Sequence, residues 1–360
     1  MSRGVRVRAF LRGHGWESFL FGLLIVAVVA ASMLSPLYLD AFQILYSLQQ
    51  SMAITGILAV GFMFIILVGE IDISLPALAA VATVSFAQLS VMGAPLWAAV
   101  LVMLCITTLA GLFNGLLVVT FSLPSMAVTL GMIAVYRAIA LWIGGPDGFG
   151  ANAFHPAYVW IGSEAIGGSL PVSLLLLAFL FVVAYLLVHR SVYGRLLYAT
   201  GNNRKATYMS GHNIKAIIVS TYAIAGLLAG VAALVFIGQY ESARADNLTE
   251  ILLFVVACIA LGGFNLEGGK GNVPGLLLSI LLLGTIENGM GLANIGGSVQ
   301  TLVIGLILAI SIVLPVVIRK LGSIRTISKD LAGRQPPGPA RSMMPAKTGV
   351  ESAGGRRRFS

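Results

Sequence analysis

Long apolar runs separated by short polar stretches make up most of this 360-residue chain. Several of the runs reach the roughly 20 residues that a helix needs to cross a bilayer. They lie at 19–34, 44–68, 73–91, 96–119, 126–143, 170–188, 216–237, 251–261, 273–286 and 299–318. The pattern therefore predicts an all-α integral membrane protein, a polytopic bundle of about ten transmembrane helices.

Two carboxylates, Glu70 and Asp72, interrupt the apolar pattern between the second and third runs. A carboxylate near hydrocarbon is costly, so an ionisable group at such a place is a candidate for function. The alternative is local: Asp72 or Ser74 caps the next helix, with Pro76 in its first turn, where the missing N–H costs nothing. Both interpretations stand on the sequence.

A few other positions in the runs carry information about packing or charge. Arg137 must snorkel, pair or face water, and snorkelling ranks first because this residue lies a turn or two from the end of its run. Gly111 and Gly115, like Gly226 and Gly230, have the small-xxx-small spacing that lets another helix approach closely. These two pairs predict close-packing faces.

A glycine-rich stretch at 262–271 breaks the helical pattern after the short run 251–261. Short runs beside unwound backbone also occur as half-helices or re-entrant segments that line a cavity. The spacing excludes a phosphate-binding loop, which would need Gly at position 264 and Ser or Thr at position 271. The chain has Phe264 and Gly271 there.

The composition, 58% hydrophobic and 10% charged, excludes a soluble domain. The net charge of +9 indicates topology rather than nucleic-acid binding, because 19 of the 22 Lys and Arg residues lie before the first run, in 189–215, or after residue 314. Both termini are therefore predicted to be cytoplasmic. We expect a basic arm at 1–18, a transmembrane domain at 19–320, and a basic, disordered tail at 321–360 that touches lipid headgroups.

No catalytic or metal-binding arrangement stands out. The four histidines are scattered over the termini and loops, without a second ligand at metal-site spacing. Cys105 and Cys258 lie inside apolar runs and are interpreted as small core residues. We predict no catalytic residue, no metal site, no disulfide and no cofactor of the chain's own.

Three stretches together carry a resemblance to a known family: 69–74 (Gly-Glu-Ile-Asp-Ile-Ser), followed by 113–115 and 123–131; 193–211; and 262–271 with Asn288-Gly289. In combination they resemble the permease subunits of sugar-type ATP-binding-cassette importers, the ribose, rhamnose and autoinducer-2 branch. Glu70 and Pro76 stand where that family usually has glycine.

The resemblance implies a transport subunit of the bacterial inner membrane that passes a monosaccharide-like solute. Its implied partners are two ATP-binding subunits, a second permease subunit and an extracytoplasmic solute-binding protein, with ATP used by the partner chains. A short cytoplasmic coupling helix at 203–210 would dock on the ATPase, through Arg195, Asn202, Asn203, Ala206 and Gly211. The expected path-facing groups are Asp72, Asn114, Arg137 and Asn288, with Glu70 as the unusual candidate.

Three alternatives remain open. An ion- or proton-coupled secondary transporter would use Glu70 and Asp72 as its relay. A permease of the same fold could carry nucleosides or branched-chain amino acids, although the Ile-Asp-Ile-Ser sequence favours sugars over amino acids. The basic segment 189–215 could also be a solvated loop that only obeys the positive-inside rule.

Overall fold

The structure is a computed structural model that describes residues 15–34, 36–154, 165–166, 170–311 and 313. The predicted tail and residues 1–14 of the predicted arm lie outside the described residues. The helices, in chain order, are α1 (Gly15–Leu34), α2 (Ala41–Leu67), α3 (Leu75–Val91), α4 (Leu96–Phe121), α5 (Ser125–Gly144), α6 (Val172–Tyr185), α7 (Val192–Asn202), α8 (Arg204–Met209), α9 (Ile214–Tyr240), α10 (Ile251–Leu261), α11 (Val273–Leu292) and α12 (Gly297–Ser311).

A few short elements complete the fold. A π-helical turn, Leu186–Arg190, continues α6, and single 3-10 turns lie at Pro36–Leu39 and Ala151–Ala153. Strand β1 (Ala165–Ile166) pairs antiparallel with β2 (Leu170–Pro171). Helices supply nearly all the remaining regular structure of the described residues, which confirms the all-α membrane class.

Among the described residues, six helices are long and apolar enough to cross a membrane, or seven if the bent α2 is one span. The others that are apolar, α3, α10 and α12, are shorter. Helix α10 has 11 residues and so rises only about 16 Å, roughly half the hydrocarbon thickness.

Helices α2, α3 and α9 form the centre of the bundle. Every residue from 52 to 68, at the end of α2 and just after it, is buried. Most of α9 is buried as well. Helices α4, α5 and α6 instead expose large apolar side chains, such as Trp142, which is 86% exposed. Apolar residues that face outward in this way suit contact with lipid.

The two small-residue faces predicted from the sequence pack against each other, α4 against α9. A Cβ atom on Gly226 would overlap the Thr107 carbonyl oxygen and lie 3.1 Å from Gly111 Cα. A Cβ on Gly111 would in turn overlap the carbonyl oxygen of Tyr222. Backbone meets backbone here, so neither position has room for a side chain, and the predicted close approach is confirmed.

Two groups of loops lie at opposite ends of the bundle. At the first, which we call the Tyr240 end, the turn after α5 joins the loop 241–250 through paired backbone hydrogen bonds between Phe149 and Ala243. Gln239 also donates to the Gln49 carbonyl there, at 3.1 Å. The second, which we call the Gly69 end, contains the break after α2, helices α7 and α8, and the glycine-rich turn after α10.

Candidate functional site

Three of the segments that carry the resemblance, 69–74, 193–211 and 262–271, meet at the Gly69 end. Gly269 N–H donates to the Leu67 carbonyl at 3.0 Å, which joins the glycine-rich turn to the end of α2. A Cβ on Gly201 would overlap both of those groups, so the end of α7 fits between them only as glycine. Gly69 itself has φ +76, a backbone conformation that favours glycine. Sequence-distant segments thus form one compact junction.

Side chains of α7 fasten it to the glycine-rich turn. The Tyr198 hydroxyl donates to the Gly271 carbonyl at 2.7 Å, and the Asn202 amide donates to the Gly269 carbonyl at 3.1 Å. Asn202 is one of the predicted docking residues, and the structure gives its side chain an internal contact. Burial raises the pKa of Tyr198 to about 12, so this phenol keeps its donor proton at neutral pH.

The short helix predicted at 203–210 is present as α8. Asn203 caps it, because its Oδ1 accepts from Ala206 N–H at 3.0 Å, and Gly211 follows with φ +84. Two apolar side chains at its C-terminal end, Tyr208 and Met209, are 70% and 73% exposed. Sequence reasoning named the helix but missed this exposed pair.

Arg204, the first residue of α8, forms an ion pair with Glu70 at 2.8 Å. The same guanidinium nitrogen donates to the carbonyls of Val68 and Gly69, at 3.0 and 3.3 Å. Glu70 is buried, whereas about half of the Arg204 side chain is exposed. The unusual carboxylate of the 69–74 stretch is therefore bound to the surface helix. No local pattern signals this pairing, since 134 positions separate the two residues.

Asp72 lies at the centre of a buried polar network. Its Oδ1 accepts from Ser74 N–H at 2.8 Å and from the Ser74 hydroxyl at 2.5 Å. The Asn114 amide donates to Asp72 Oδ2 at 3.3 Å and to Ser74 Oγ at 3.0 Å. Asn114 Oδ1 in turn accepts from the Tyr136 hydroxyl at 2.7 Å. The network joins the α2–α3 break to α4 and α5.

The structure supports only part of the interpretation that Asp72 or Ser74 caps α3. Ser74 occupies the N-cap position of α3 and Pro76 lies in the first turn, but the Ser74 side chain makes no capping hydrogen bond. Its hydroxyl is used by Asp72 instead. Asp72 and Asn114 both have no exposed surface, so in this conformation they are enclosed within the chain.

Arg137 pairs with backbone at the Tyr240 end. Its Nη1 donates to the Asn247 carbonyl at 2.7 Å and to the carbonyl of Ala245. Of the three predicted possibilities, pairing is thus observed, because loop 241–250 places two acceptors within reach of a partly buried guanidinium, which needs partners. Arg137 thereby anchors that loop.

A cavity of about 670 Å³, which we call the Tyr240 cavity, opens beside the same loop. Its walls come from α2, the end of α9, loop 241–250, the start of α10 and α11. They include Gln50, Thr55, Tyr240, Asn247 and Glu287. Asn288, a predicted path residue, adjoins Glu287 and is partly buried, but it does not line the cavity.

Charges at the mouth of the Tyr240 cavity are partly paired. The Arg244 Nε atom donates to Asp246 Oδ1 at 3.0 Å. This hydrogen bond lowers the pKa of Asp246, which therefore stays ionised at neutral pH. Glu250 and Glu287 add two further carboxylates to the lining.

A second cavity, of about 1070 Å³, lies at the Gly69 end between α4, α8 and α9. Glu70 and Arg204 form part of its wall, together with Tyr208, His212 and Lys215. In the part of the chain that the structure describes, no group of three or more His, Cys, Asp and Glu side chains could hold a metal ion. The cavities were not predicted from the sequence, since each is lined by residues from several helices.

Comparison with known proteins gives consistent relatives. A family model described as "Branched-chain amino acid transport system / permease component" matches residues 43–312. The autoinducer 2 import system permease protein LsrD of Klebsiella pneumoniae is 31% identical over 299 residues, 82% of this chain and 90% of that protein. The ribose import permease protein RbsC of Bacillus subtilis is 32% identical over 294 residues, 81% of this chain and 90% of that protein. No solved structure matches the chain significantly.

Proposed function

The chain belongs to the permease family described as branched-chain amino acid transport system / permease component, and from this premise we propose that it is the membrane subunit of an ATP-driven sugar importer. As a permease of this kind it is a transport subunit rather than an enzyme. The single observation that carries the ATP-driven part is α8, a capped surface helix that exposes two apolar side chains and is tied by an ion pair to the membrane-embedded break.

The solute in this proposal is a monosaccharide-like molecule delivered by an extracytoplasmic binding protein. The ribose and autoinducer-2 permeases among the relatives support a small hydroxyl-rich solute. Two ATP-binding subunits and a second permease subunit complete the assembly. Nucleosides, which are also hydroxyl-rich, are the closest competing solutes.

The proposed topology has ten crossings with both termini in the cytoplasm. It counts the six long helices, the bent α2, and the shorter α3, α10 and α12. The basic segment 189–215 then lies at the cytoplasmic face, which the proposal equates with the Gly69 end. The transmembrane domain covers 19–320, flanked by the basic arm and tail.

In the proposed coupling step the ATPase subunits move α8 as a rigid body. Arg204 would pass this movement to Glu70 and thereby to the break between α2 and α3. Asn203 and Ala206 keep α8 capped during the step, and Gly211 ends it. Arg195 and Asn202 lie on α7, which precedes α8, and complete the surface that docks on the ATPase.

The predicted path residues occupy successive depths of the bundle. Arg137 and Asn288 lie towards the Tyr240 end, Glu70 lies at the Gly69 end, and the enclosed pair Asp72 and Asn114 lies between them. We propose that the solute route follows this series and begins at the Tyr240 cavity. Asp72 and Asn114 would face the route only in another state of the transport cycle.

The ion-coupled alternative finds less support in these contacts. A proton relay needs carboxylates that exchange protons with water along a path. Glu70 is instead held by Arg204, and Asp72 is enclosed by Ser74 and Asn114. Asp72 has no exposed surface, and Glu70 reaches the cavity at the Gly69 end only as the partner of Arg204, so the two carboxylates do not form a continuous relay in this conformation.

The docking proposal is tested by Met209→Asp, with Met92→Asp as the matched control. The two methionines are 73% and 72% exposed, and Met92 lies at the Tyr240 end, away from α8. The tagged permease is purified in mild detergent from cells that express its whole transport operon, and the ATP-binding subunit is quantified by mass spectrometry. We expect Met209→Asp to lose the ATPase and Met92→Asp to retain it.

Two results would overturn the proposal. One is equal ATPase recovery from both variants. The other is absence of any ATPase from the unaltered protein, together with solute uptake by vesicles that contain this chain alone. The second result would establish the ion-coupled alternative instead.

A further inference from the structure

The loop that forms one wall of the Tyr240 cavity is held in a single shape by internal hydrogen bonds. Besides the anchor from Arg137, the Asn247 amide donates to the Ser242 carbonyl at 3.2 Å, and the Thr249 hydroxyl donates to the Asp246 carbonyl at 2.5 Å. A preformed wall does not have to be ordered when a ligand binds, so little conformational entropy is lost. The cavity volume of about 670 Å³ falls within the range of about 300–1,000 Å³ that is usual for small-molecule sites.

The cavity wall combines aromatic and hydrogen-bonding groups. Phe236, Tyr240 and Phe254 supply apolar surface, whereas Gln50 and Asn247 supply amide groups. A cyclic polyol has apolar C–H faces and a rim of hydroxyl groups. Such a molecule can place its C–H face on an aromatic ring while its hydroxyls meet the amides and carboxylates.

The charges of the lining add a selection by sign. Among the lining residues that the structure describes, one cation, Arg244, stands against three carboxylates, Asp246, Glu250 and Glu287, so the lining is acidic overall. A carboxylate accepts hydrogen bonds from hydroxyl groups but repels an anion. We propose that the Tyr240 cavity is a solute-selection site that admits neutral polyhydroxylated molecules and excludes anionic ones, such as sugar acids and sugar phosphates. This inference rests on the proposed function, because it specifies the solutes that the transport path accepts.

The test measures binding of D-ribose and D-ribonate to the full-length permease in lipid nanodiscs. The two probes share a carbon skeleton, but D-ribonate carries a carboxylate at C1 and is open-chain. The part of the ratio that is due to charge is therefore taken from its change in carboxylate variants, in which both probes keep their shapes. Saturation-transfer NMR gives a dissociation constant for each probe, and their ratio is independent of the fraction of folded protein. We expect D-ribonate to bind at least tenfold more weakly than D-ribose.

Variants locate the effect. Removing one carboxylate, by Glu250→Gln, should reduce the ratio about fivefold, since about 1 kcal/mol of repulsion corresponds to that factor. Glu241→Gln makes the same change in the same loop, but Glu241 does not line the cavity. It should leave the ratio unchanged. Thr249→Trp, at the exposed rim, should weaken both probes together by filling the mouth.

Three results would each overturn the inference. They are equal binding of the two probes, no D-ribose binding up to about 50 mM, and an effect of Glu241→Gln as large as that of Glu250→Gln. Because this measurement uses no ATPase, a negative result would not bear on whether the ATP-binding subunit co-purifies with the permease through α8. A failure of ATPase recovery likewise leaves the probe ratio intact, so the two proposals can fail separately.

Discussion

Replacing Asp72 with asparagine should destabilise the centre of the bundle although it keeps the volume. The oxygen that the new side chain retains can still accept from Ser74. Its amide group, however, faces the Asn114 amide that in the parent donates to Asp72 Oδ2 at 3.3 Å. Two donors then oppose each other where neither residue has exposed surface.

The magnitude follows from the number of bonds lost. At least one buried donor is left without an acceptor, and each such donor costs about 1–3 kcal/mol. A cost of about 2 kcal/mol corresponds to a decrease in Tm of roughly 4–8 °C, scaled from mid-sized domains. The double variant Asp72→Asn/Asn114→Asp should recover more than half of the loss. In that variant the carboxylate at position 114 accepts from the amide at position 72 and still accepts from Tyr136.

The assay follows thermal unfolding in mild detergent through the reaction of Cys258 with a fluorogenic maleimide. Cys258 is buried, whereas Cys105 is exposed and is replaced by alanine in every sample to remove its background. Asp72→Glu serves as a control that keeps the carboxyl group but lengthens the side chain by one methylene. A Tm for Asp72→Asn equal to that of the parent, or a double variant no more stable than the single one, would refute the donor–acceptor argument.

Two further predictions concern packing and coupling. Gly226→Ala should destabilise the protein by about 1–3 kcal/mol, because the new Cβ overlaps backbone atoms and no change of side-chain rotamer can relieve the overlap. Gly131→Ala is the control, since a Cβ there meets nothing within 4 Å, and it should not destabilise the protein. Equal Tm values for the two variants in the same thiol assay would contradict this prediction. Glu70→Ala should leave the rate of ATP hydrolysis by the assembled complex unchanged but lower the amount of solute taken up per ATP hydrolysed. The charge exchange Glu70→Arg/Arg204→Glu should restore part of the uptake, and no recovery would argue against transmission through this pair.

Much of the fold could be predicted from local pattern. Apolar runs at 251–261 and 96–119 correspond to α10 and to α4, because a helix in lipid must be apolar along its length. The capped helix α8 follows from Asn203 and Gly211, whose effects are local. The relatives confirm the resemblance to permeases of sugar-type importers.

The site was less accessible from the sequence. Glu70 and Asp72 stand out in the sequence because a carboxylate in an apolar stretch is costly wherever it points. Their partners could not be inferred, since Arg204 is one of several basic residues in its segment and Tyr136 resembles any tyrosine near a span end. The position of Arg137 predicted only that it needs partners, and loop 241–250 supplies them.

The sequence by itself determined the class of this protein: lipid-length apolar runs, the distribution of basic residues, and two small-residue faces depend on composition and spacing within single helices. Only the tertiary structure decided what the polar groups do. The pairing of Glu70 with Arg204, the enclosure of Asp72 by Asn114, and the Tyr240 cavity each join residues from different helices. Helix–helix packing sets those distances, and no periodicity along one helix records which neighbour it will meet.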